Sequence, residues 1–226
     1  MTQAISTNEI VVIDEGSVTL PKGYKAGGMH CGIKRKRHDL GYIVSEVPAT
    51  AAGVYTTNIF QAAPLLVTQE SMAKENKIQA VIVNSGNANA CTGEQGLLDA
   101  FAMQKGFANE LGIQEHLVAV TSTGVIGEIM PMDKVNAGIK QILNKMNENE
   151  DNFMNAILTT DTCVKHTAVQ MKIDGKTISI GGASKGSGMI HPNMATMLGF
   201  VTTDANIEQE ELLAALRDVT NQTFNM

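Results

Sequence analysis

A small residue before a hydroxyl residue, with glycines leading in and an apolar run leading out, suits a chain that cuts itself to expose a new N-terminal nucleophile. The run His191-Pro192-Asn193-Met194-Ala195-Thr196-Met197-Leu198-Gly199-Phe200 has this arrangement, with Ala195 before Thr196. A threonine hydroxyl alone is a poor nucleophile at neutral pH. A free α-amine on the same residue, with a pKa of about 8, can take its proton. The pattern predicts a self-processing N-terminal-nucleophile enzyme, cut between Ala195 and Thr196.

Three further segments carry residues that such a site needs. Thr121-Ser122-Thr123-Gly124-Val125-Ile126-Gly127 follows an apolar run. Hydroxyls and backbone N–H groups at a strand end can converge on an oxyanion; the same residues also suit an ordinary polar turn. Gly181-Gly182-Ala183-Ser184-Lys185-Gly186-Ser187-Gly188 invites comparison with a phosphate loop. A Walker loop needs Gly-Lys-Ser/Thr, whereas Lys185 precedes Gly186. The segment reads either as a flexible approach to Thr196 that aims Lys185 at an anionic substrate group, or as a hairpin exit with a solvated lysine. Thr159-Thr160-Asp161-Thr162 offers hydroxyl donors for a carboxylate or acetyl oxygen, or else a helix cap or turn. Asn84-Ser85-Gly86-Asn87-Ala88-Asn89 is a fourth, weaker binding segment, more simply a turn held by Asn side chains.

The elements that must position these segments are short and intermixed. Strands are predicted at Ile10–Ile13, Tyr42–Val47, Ala80–Val83, Leu117–Val120, Val169–Ile173, Thr177–Ile180 and Leu198–Val201, all rich in Val and Ile or bounded by turn residues. Asp174-Gly175 marks a two-residue hairpin turn. It would pair Met171 with Ile178 and Val169 with Ile180 on one face, and Gln170 and Lys172 with Ser179 and Thr177 on the other. One helix is predicted from Gly93 to Leu111, with Thr92 and Gln95 at capping-box spacing and Gly112 as its stop. A second is predicted from Asp133 to Met146, capped by Asp133, followed by an exposed loop over 144–152. A third amphipathic stretch spans 208–224, with Leu212, Leu213, Leu216 and Val219 at helical spacing. Strands and helices without βαβ alternation predict an α+β fold with mixed or antiparallel sheets layered with helices.

Composition narrows the class. With 226 residues, 43% apolar and 18% charged, the chain can bury a substantial core. The net charge of −6 argues against nucleic acid as a partner. One basic run, Lys34-Arg35-Lys36-Arg37-His38, cuts against that average and reads as a solvated loop or strand edge. Cys31, Cys91 and Cys163 are odd in number and lack CxxC spacing, which argues against a disulfide framework or thiolate metal site. The five histidines show no HxH or HExxH pattern, so no metal is expected. No run reaches the roughly 18 apolar residues of a membrane helix, and the first residues lack a signal-peptide pattern. Cytoplasm is the expected compartment.

Taken together, several runs resemble the ornithine acetyltransferase family, the bifunctional glutamate N-acetyltransferases of arginine biosynthesis. They are His191 to Leu198, Ser184 to Ile190, Thr123 to Gly127 and Ala88-Asn89-Ala90-Cys91-Thr92-Gly93. Cys31-Gly32-Ile33, Asp39-Leu40 and Gln61-Ala62-Ala63-Pro64 are similar to its N-terminal part. The resemblance covers essentially the whole chain. It implies one self-processing catalytic domain, with residues 1–195 as an α chain and 196–226 as the start of a β chain. It implies cleavage between Ala195 and Thr196, and an acetyl group carried by Thr196 from N2-acetylornithine to glutamate. Thr123 and Gly124 would form the oxyanion hole, and Thr159, Lys185 and Thr196 would hold substrate. Some members also take acetyl-CoA as donor; no tightly bound cofactor is implied. The implied partner is the chain's own β chain, in a heterotetramer of two α and two β chains. Family members continue well past the position of Phe224, so the C-terminal remainder, with a site glutamate and further substrate contacts, is expected to be absent here.

Two other readings share these residues. An N-terminal-nucleophile amidase or aminopeptidase would use Thr196 with water as acceptor. A binding module would use the glycine segments to hold a small anion, without self-cleavage or a covalent adduct.

Overall fold

Four consecutive apolar residues, Ala80-Val81-Ile82-Val83, cannot alternate between core and water, so their strand must be covered on both faces. The computed structural model, which describes residues 10–145, 151–188, 193–194 and 196–226, places them inside a sheet packed on both sides. This sheet has the order β2 (Tyr24–Met29), β3 (Leu40–Thr50), β4 (Lys77–Asn87), β5 (Val118–Val125). β4 and β5 run parallel, whereas the β2–β3 and β3–β4 pairs are antiparallel. A second sheet, antiparallel throughout, has the order β1 (Val11–Ile13), β6 (Lys165–Ile173), β7 (Lys176–Lys185), β8 (Leu198–Thr203).

Helices α1 (Ala63–Glu75), α2 (Gly93–Leu111) and α3 (Met132–Ile142) cover one face of the first sheet. Val67, Met103, Phe107 and Ile139 pack there with Tyr42, Ile82 and Val120. On the other face lies α4 (Asp151–Ile157), whose Phe153 and Ile157 join Ile43, Val83 and Ala183 of β7. A Cβ on Gly28 would lie 2.8 Å from that of Ala156, and one on Gly41 would lie 3.1 Å from it. The missing side chains let the helix sit directly on the strands. A final helix, α5 (Gln209–Gln222), buries only Thr220.

The α+β expectation with mixed and antiparallel sheets holds. The hairpin register is as predicted, with Met171 opposite Ile178 and Val169 opposite Ile180. The buried face is the other one. Ser179, Gly181, Ala183 and Lys185 point inward, while Val169, Met171, Ile178 and Ile180 are half-buried. The small residues admit α4 and the Ser17 backbone at close range, which larger apolar side chains would block.

α2 matches its predicted limits. Its capping box does not form: the Thr92 hydroxyl donates to Asn89 and the Gln95 amide to Asp99. α3 begins at Met132 behind Pro131, which places Asp133 inside the first turn rather than at the cap. Residues 151–152, expected in a loop, begin α4. β2 escapes pattern reading because Gly27 and Gly28 depress strand propensity. α1 escapes because its apolar residues form only a weak stripe, despite the proline at its start.

Candidate active site

β5 carries the first site residues. It extends past the predicted Val120 to Val125, so Thr123 and Gly124 lie on a strand rather than in a loop. β4 likewise continues through Asn84 to Asn87, in parallel register with β5, with Gly86 opposite Gly124. A Cβ on Gly124 would come within 2.5 Å of the Asn87 nitrogen and 2.6 Å of the Gly86 oxygen. Its φ of +140° also favours glycine. The Asn side chains brace this corner. Asn84 donates to the Asn87 carbonyl at 2.8 Å and accepts the Ser122 hydroxyl at 2.6 Å. Asn87 donates to the carbonyls of Glu128 and Ile129. The segment is therefore scaffolding for the β5 end.

Lys185 ends β7 on the strand's inward face, so it is neither in a flexible loop nor solvated: only 6% of it is exposed. Its Nζ donates to the Thr123 hydroxyl oxygen at 3.1 Å. That bond occupies an oxygen lone pair and leaves the Thr123 O–H to donate elsewhere, as an oxyanion donor must. Burial lowers the Lys185 pKa; the Asp161 carboxylate opposes the shift, and Lys165 adds to it. A partly desolvated ammonium at this position is a strong partner for a carboxylate.

Asp161 ties the third segment to the same point. Its side chain is fully buried. Oδ1 accepts the Gly186 N–H at 2.9 Å and the Lys165 ammonium at 2.6 Å, and the Thr159 N–H also bonds the carboxylate. Burial pushes the carboxyl up, but these donors outweigh it and hold it at about 2. Half-buried Lys34 grips the same loop from the opposite side, donating to the Leu158 carbonyl at 2.5 Å. Burial lowers the Lys34 pKa to about 8, with Asp39 opposing and Arg37 and Lys185 reinforcing the shift.

Thr196 lies beside this cluster. Register places Leu198 opposite Lys185, and the Thr196 carbonyl oxygen lies 3.8 Å from the position of a Cβ on Gly186. Thr196 is exposed, with a φ of +57°, and Asn193 and Met194 also have positive φ values, of 44° and 59°. Such conformations cost about 1–3 kcal/mol each in non-glycine residues, most for a β-branched one. Tethers hold the approach: Asn193 donates to the Thr57 hydroxyl, and the Met194 N–H to Asn225. Ala195 lies outside the described residues.

The structure thus brings Thr123, Gly124, Thr159 and Lys185 together, with the Thr196 backbone adjoining. Sequence reasoning passed over Asp161, within a segment it had marked, and Lys34, within a run read as solvated. Their only sequence signal is a charge near hydroxyls or a basic run; their roles arise from contacts 25 and 124 residues away in the chain. Among the described residues, no group of three or more His, Cys, Asp or Glu side chains is placed to hold a metal. No described helix is long and apolar enough to cross a membrane.

The comparisons with known proteins agree with one another. A family model described as the ArgJ family matches residues 25–226. The arginine biosynthesis bifunctional protein ArgJ of Oceanobacillus iheyensis is 58% identical over 223 residues, covering 99% of this chain and 54% of the relative. Its Bacillus subtilis counterpart is 56% identical over 221 residues, covering 98% of this chain and 54% of that relative. The chain spans about half the length of the curated relatives it matches. The crystal structure of the arginine biosynthesis bifunctional protein from Bacillus halodurans superposes with a TM-score of 0.79 at 57% identity, covering 84% of this chain and 100% of that one. Ornithine acetyltransferase of Mycobacterium tuberculosis, solved in complex with ornithine, gives 0.74 at 38% identity, covering 80% and 97%.

Proposed function

The chain belongs to the ArgJ family, and on that premise we propose that it carries the nucleophile and oxyanion site of an enzyme moving acetyl from N2-acetylornithine to glutamate. The observation that carries the reading is the Lys185–Thr123 contact at 3.1 Å beside Gly124, with Thr196 held against Gly186. It joins a carboxylate anchor, an oxyanion donor and a candidate nucleophile in one place.

In processing, the Thr196 hydroxyl attacks the Ala195 carbonyl, the peptide C–N bond breaks, and water hydrolyses the resulting ester. The positive φ values at Asn193, Met194 and Thr196 support this step, since cutting the chain lets them relax. The freed amine then takes the hydroxyl proton as Thr196 Oγ attacks the acetyl carbonyl of acetylornithine. The amide C–N bond breaks, and ornithine leaves with the proton. The glutamate amine attacks the acetyl ester, and Thr196 Oγ departs and is reprotonated. Both tetrahedral intermediates place their oxyanion toward Thr123 and the Gly124 N–H. Donor and acceptor share an α-amino-acid carboxylate, so Lys185 anchors both, with Thr159 beside it.

Acetyl-CoA is a second acetyl donor in this reading, and no tightly bound cofactor takes part. The cut α and β chains assemble as two heterodimers in the cytoplasm. Intact-mass measurement of the full-length protein tests the processing step: two chains are expected for wild type and one for Thr196→Ala. An uncut, fully active wild type would refute it. Assay of acetyl transfer to glutamate against release of free acetate separates the transferase from a hydrolase; acetate alone would favour the amidase.

A further inference from the structure

We propose that the loop Lys34–Arg37, together with Thr159, forms a subsite for the phosphate groups of a thioester acyl donor, a nucleotide-bearing carrier of the coenzyme A class. The inference rests on the proposed acetyl-threonine chemistry and assigns the donor's phosphates a place at that site.

The loop is a concentration of positive charge on an acidic chain. Net charge is −6, yet four consecutive residues, Lys34-Arg35-Lys36-Arg37, are cationic. Together with Thr159 they line a cavity of 420 Å³. Arg35, Lys36 and Arg37 are exposed, and among the described residues no carboxylate lies within ion-pair distance of them.

This loop is held in shape rather than merely solvated. The fully buried Asp39 accepts the N–H groups of Cys31 at 2.6 Å, Gly32 at 3.2 Å and Lys34 at 2.8 Å. Lys34 Nζ donates to the His38 carbonyl at 2.9 Å and to Leu158 across the cavity. The His30 ring meets the Arg37 carbonyl at 2.9 Å, and Lys134 donates to the Gly32 carbonyl at 2.9 Å. The loop backbone and the Lys34 ammonium are thus fixed, which lowers the ordering cost of an anion site, while the side chains of Arg35, Lys36 and Arg37 remain exposed and able to reach a phosphate.

The amino-acid substrates do not account for these charges. N2-acetylornithine carries one carboxylate and one ammonium, and glutamate, with buried Lys185 at its α-carboxylate, leaves a single side-chain carboxylate for four cations. A row of cations would repel the ornithine ammonium. A coenzyme A thioester instead carries a diphosphate and a phosphomonoester, and guanidinium groups match phosphate oxygens in bidentate geometry. The cavity is lined in part by Thr159, whose N–H bonds the Asp161 carboxylate beside Lys185, so the subsite opens next to the proposed acetyl site. Thr196 Oγ would attack the thioester carbonyl, the C–S bond would break, and the thiolate would leave with the proton taken up by the Thr196 amine. The product is the same acetyl ester.

The test uses full-length protein, wild type beside the double variant Arg35→Ala/Arg37→Ala, with two donors. The variant is expected to raise KM for acetyl-CoA by about 10-fold, with kcat little changed. Its acetyl-CoA KM should also depend less steeply on salt. KM for acetylornithine should stay within twofold. Binding of adenosine 3′,5′-bisphosphate, measured by calorimetry, should fall by a similar factor. Equal losses with both donors would mean that the loop is only structural and would overturn the proposal. So would undiminished bisphosphate binding, or no bisphosphate binding by wild type. Absence of acetylornithine turnover in wild type would instead refute the transferase reading, and the calorimetric result would still decide the subsite.

Discussion

Asp161 offers the sharpest test of the site's electrostatics, through the substitution Asp161→Asn. The variant keeps the shape and one acceptor oxygen but removes the charge. Asp161 Oδ1 accepts Lys165 at 2.6 Å and Gly186 N–H at 2.9 Å. Lys165 is 41% exposed, so solvent screening leaves that pair worth less than about 1 kcal/mol. Turning the buried bond from Gly186 into a neutral one costs about another 1 kcal/mol. If the whole of that loss, about 1–2 kcal/mol, were borne by substrate anchoring, kcat/KM for acetyl transfer would fall by 5- to 30-fold, which sets the upper bound for the variant. The pH profile separates this from simple loosening. Burial lowers the Lys185 pKa and Asp161 raises it, while Lys165 lowers it further and Lys34 is a second nearby cation. Losing the Asp161 charge therefore lowers the Lys185 pKa again. A lysine that anchors a carboxylate works only when protonated, so on the proposed role of Lys185 the alkaline fall in kcat/KM should move to lower pH, with the loss falling on KM more than on kcat. The measurement is acetyl transfer from acetylornithine to glutamate across pH, with full-length protein. An alkaline limb that stays in place or moves upward would refute the assignment of Lys185 as a carboxylate anchor tuned by Asp161.

Other expectations follow from single positions. Gly124→Ala should destabilise the fold by about 2–4 kcal/mol, because its Cβ meets the Gly86–Asn87 backbone and its φ is positive; urea unfolding would reveal this, and a shift under 0.5 kcal/mol would contradict it. Burial and Asp39 push the Cys31 thiol up to about 12, so iodoacetamide at pH 8 should alkylate exposed Cys91 and Cys163 well before Cys31. Peptide mass mapping over time checks the order, and early labelling of Cys31 would count against the tight Asp39-centred loop.

Much of this site was legible before any fold was known. Thr196 behind Ala195, the Thr123-Gly124 pair and Lys185 among glycines are chemically distinctive at short range. The hairpin register could be read because a two-residue turn fixes pairing by geometry. Local patterns also placed the limits of α2, where an apolar stripe meets a terminal glycine.

Burial and partnership were not legible, because they depend on residues distant in the chain. Alternation correctly sorted the hairpin's residues into two faces, but it did not say which of them is buried. Only the arrival of α4 and the Ser17 backbone makes the small-residue face the buried one, and with it Lys185. The lysine's lowered pKa, its bond to Thr123 and its dependence on Asp161 all follow from that burial. The basic run reads as solvent-facing from composition. Asp39, buried beneath it, gives it a fixed shape, and Lys34 links it to Leu158 beside Thr159. Sequence alone determined which side chains could carry the chemistry, because nucleophilicity, charge and backbone freedom belong to residue types. Tertiary structure decided which of them meet, and in what dielectric, because those properties belong to the space between elements.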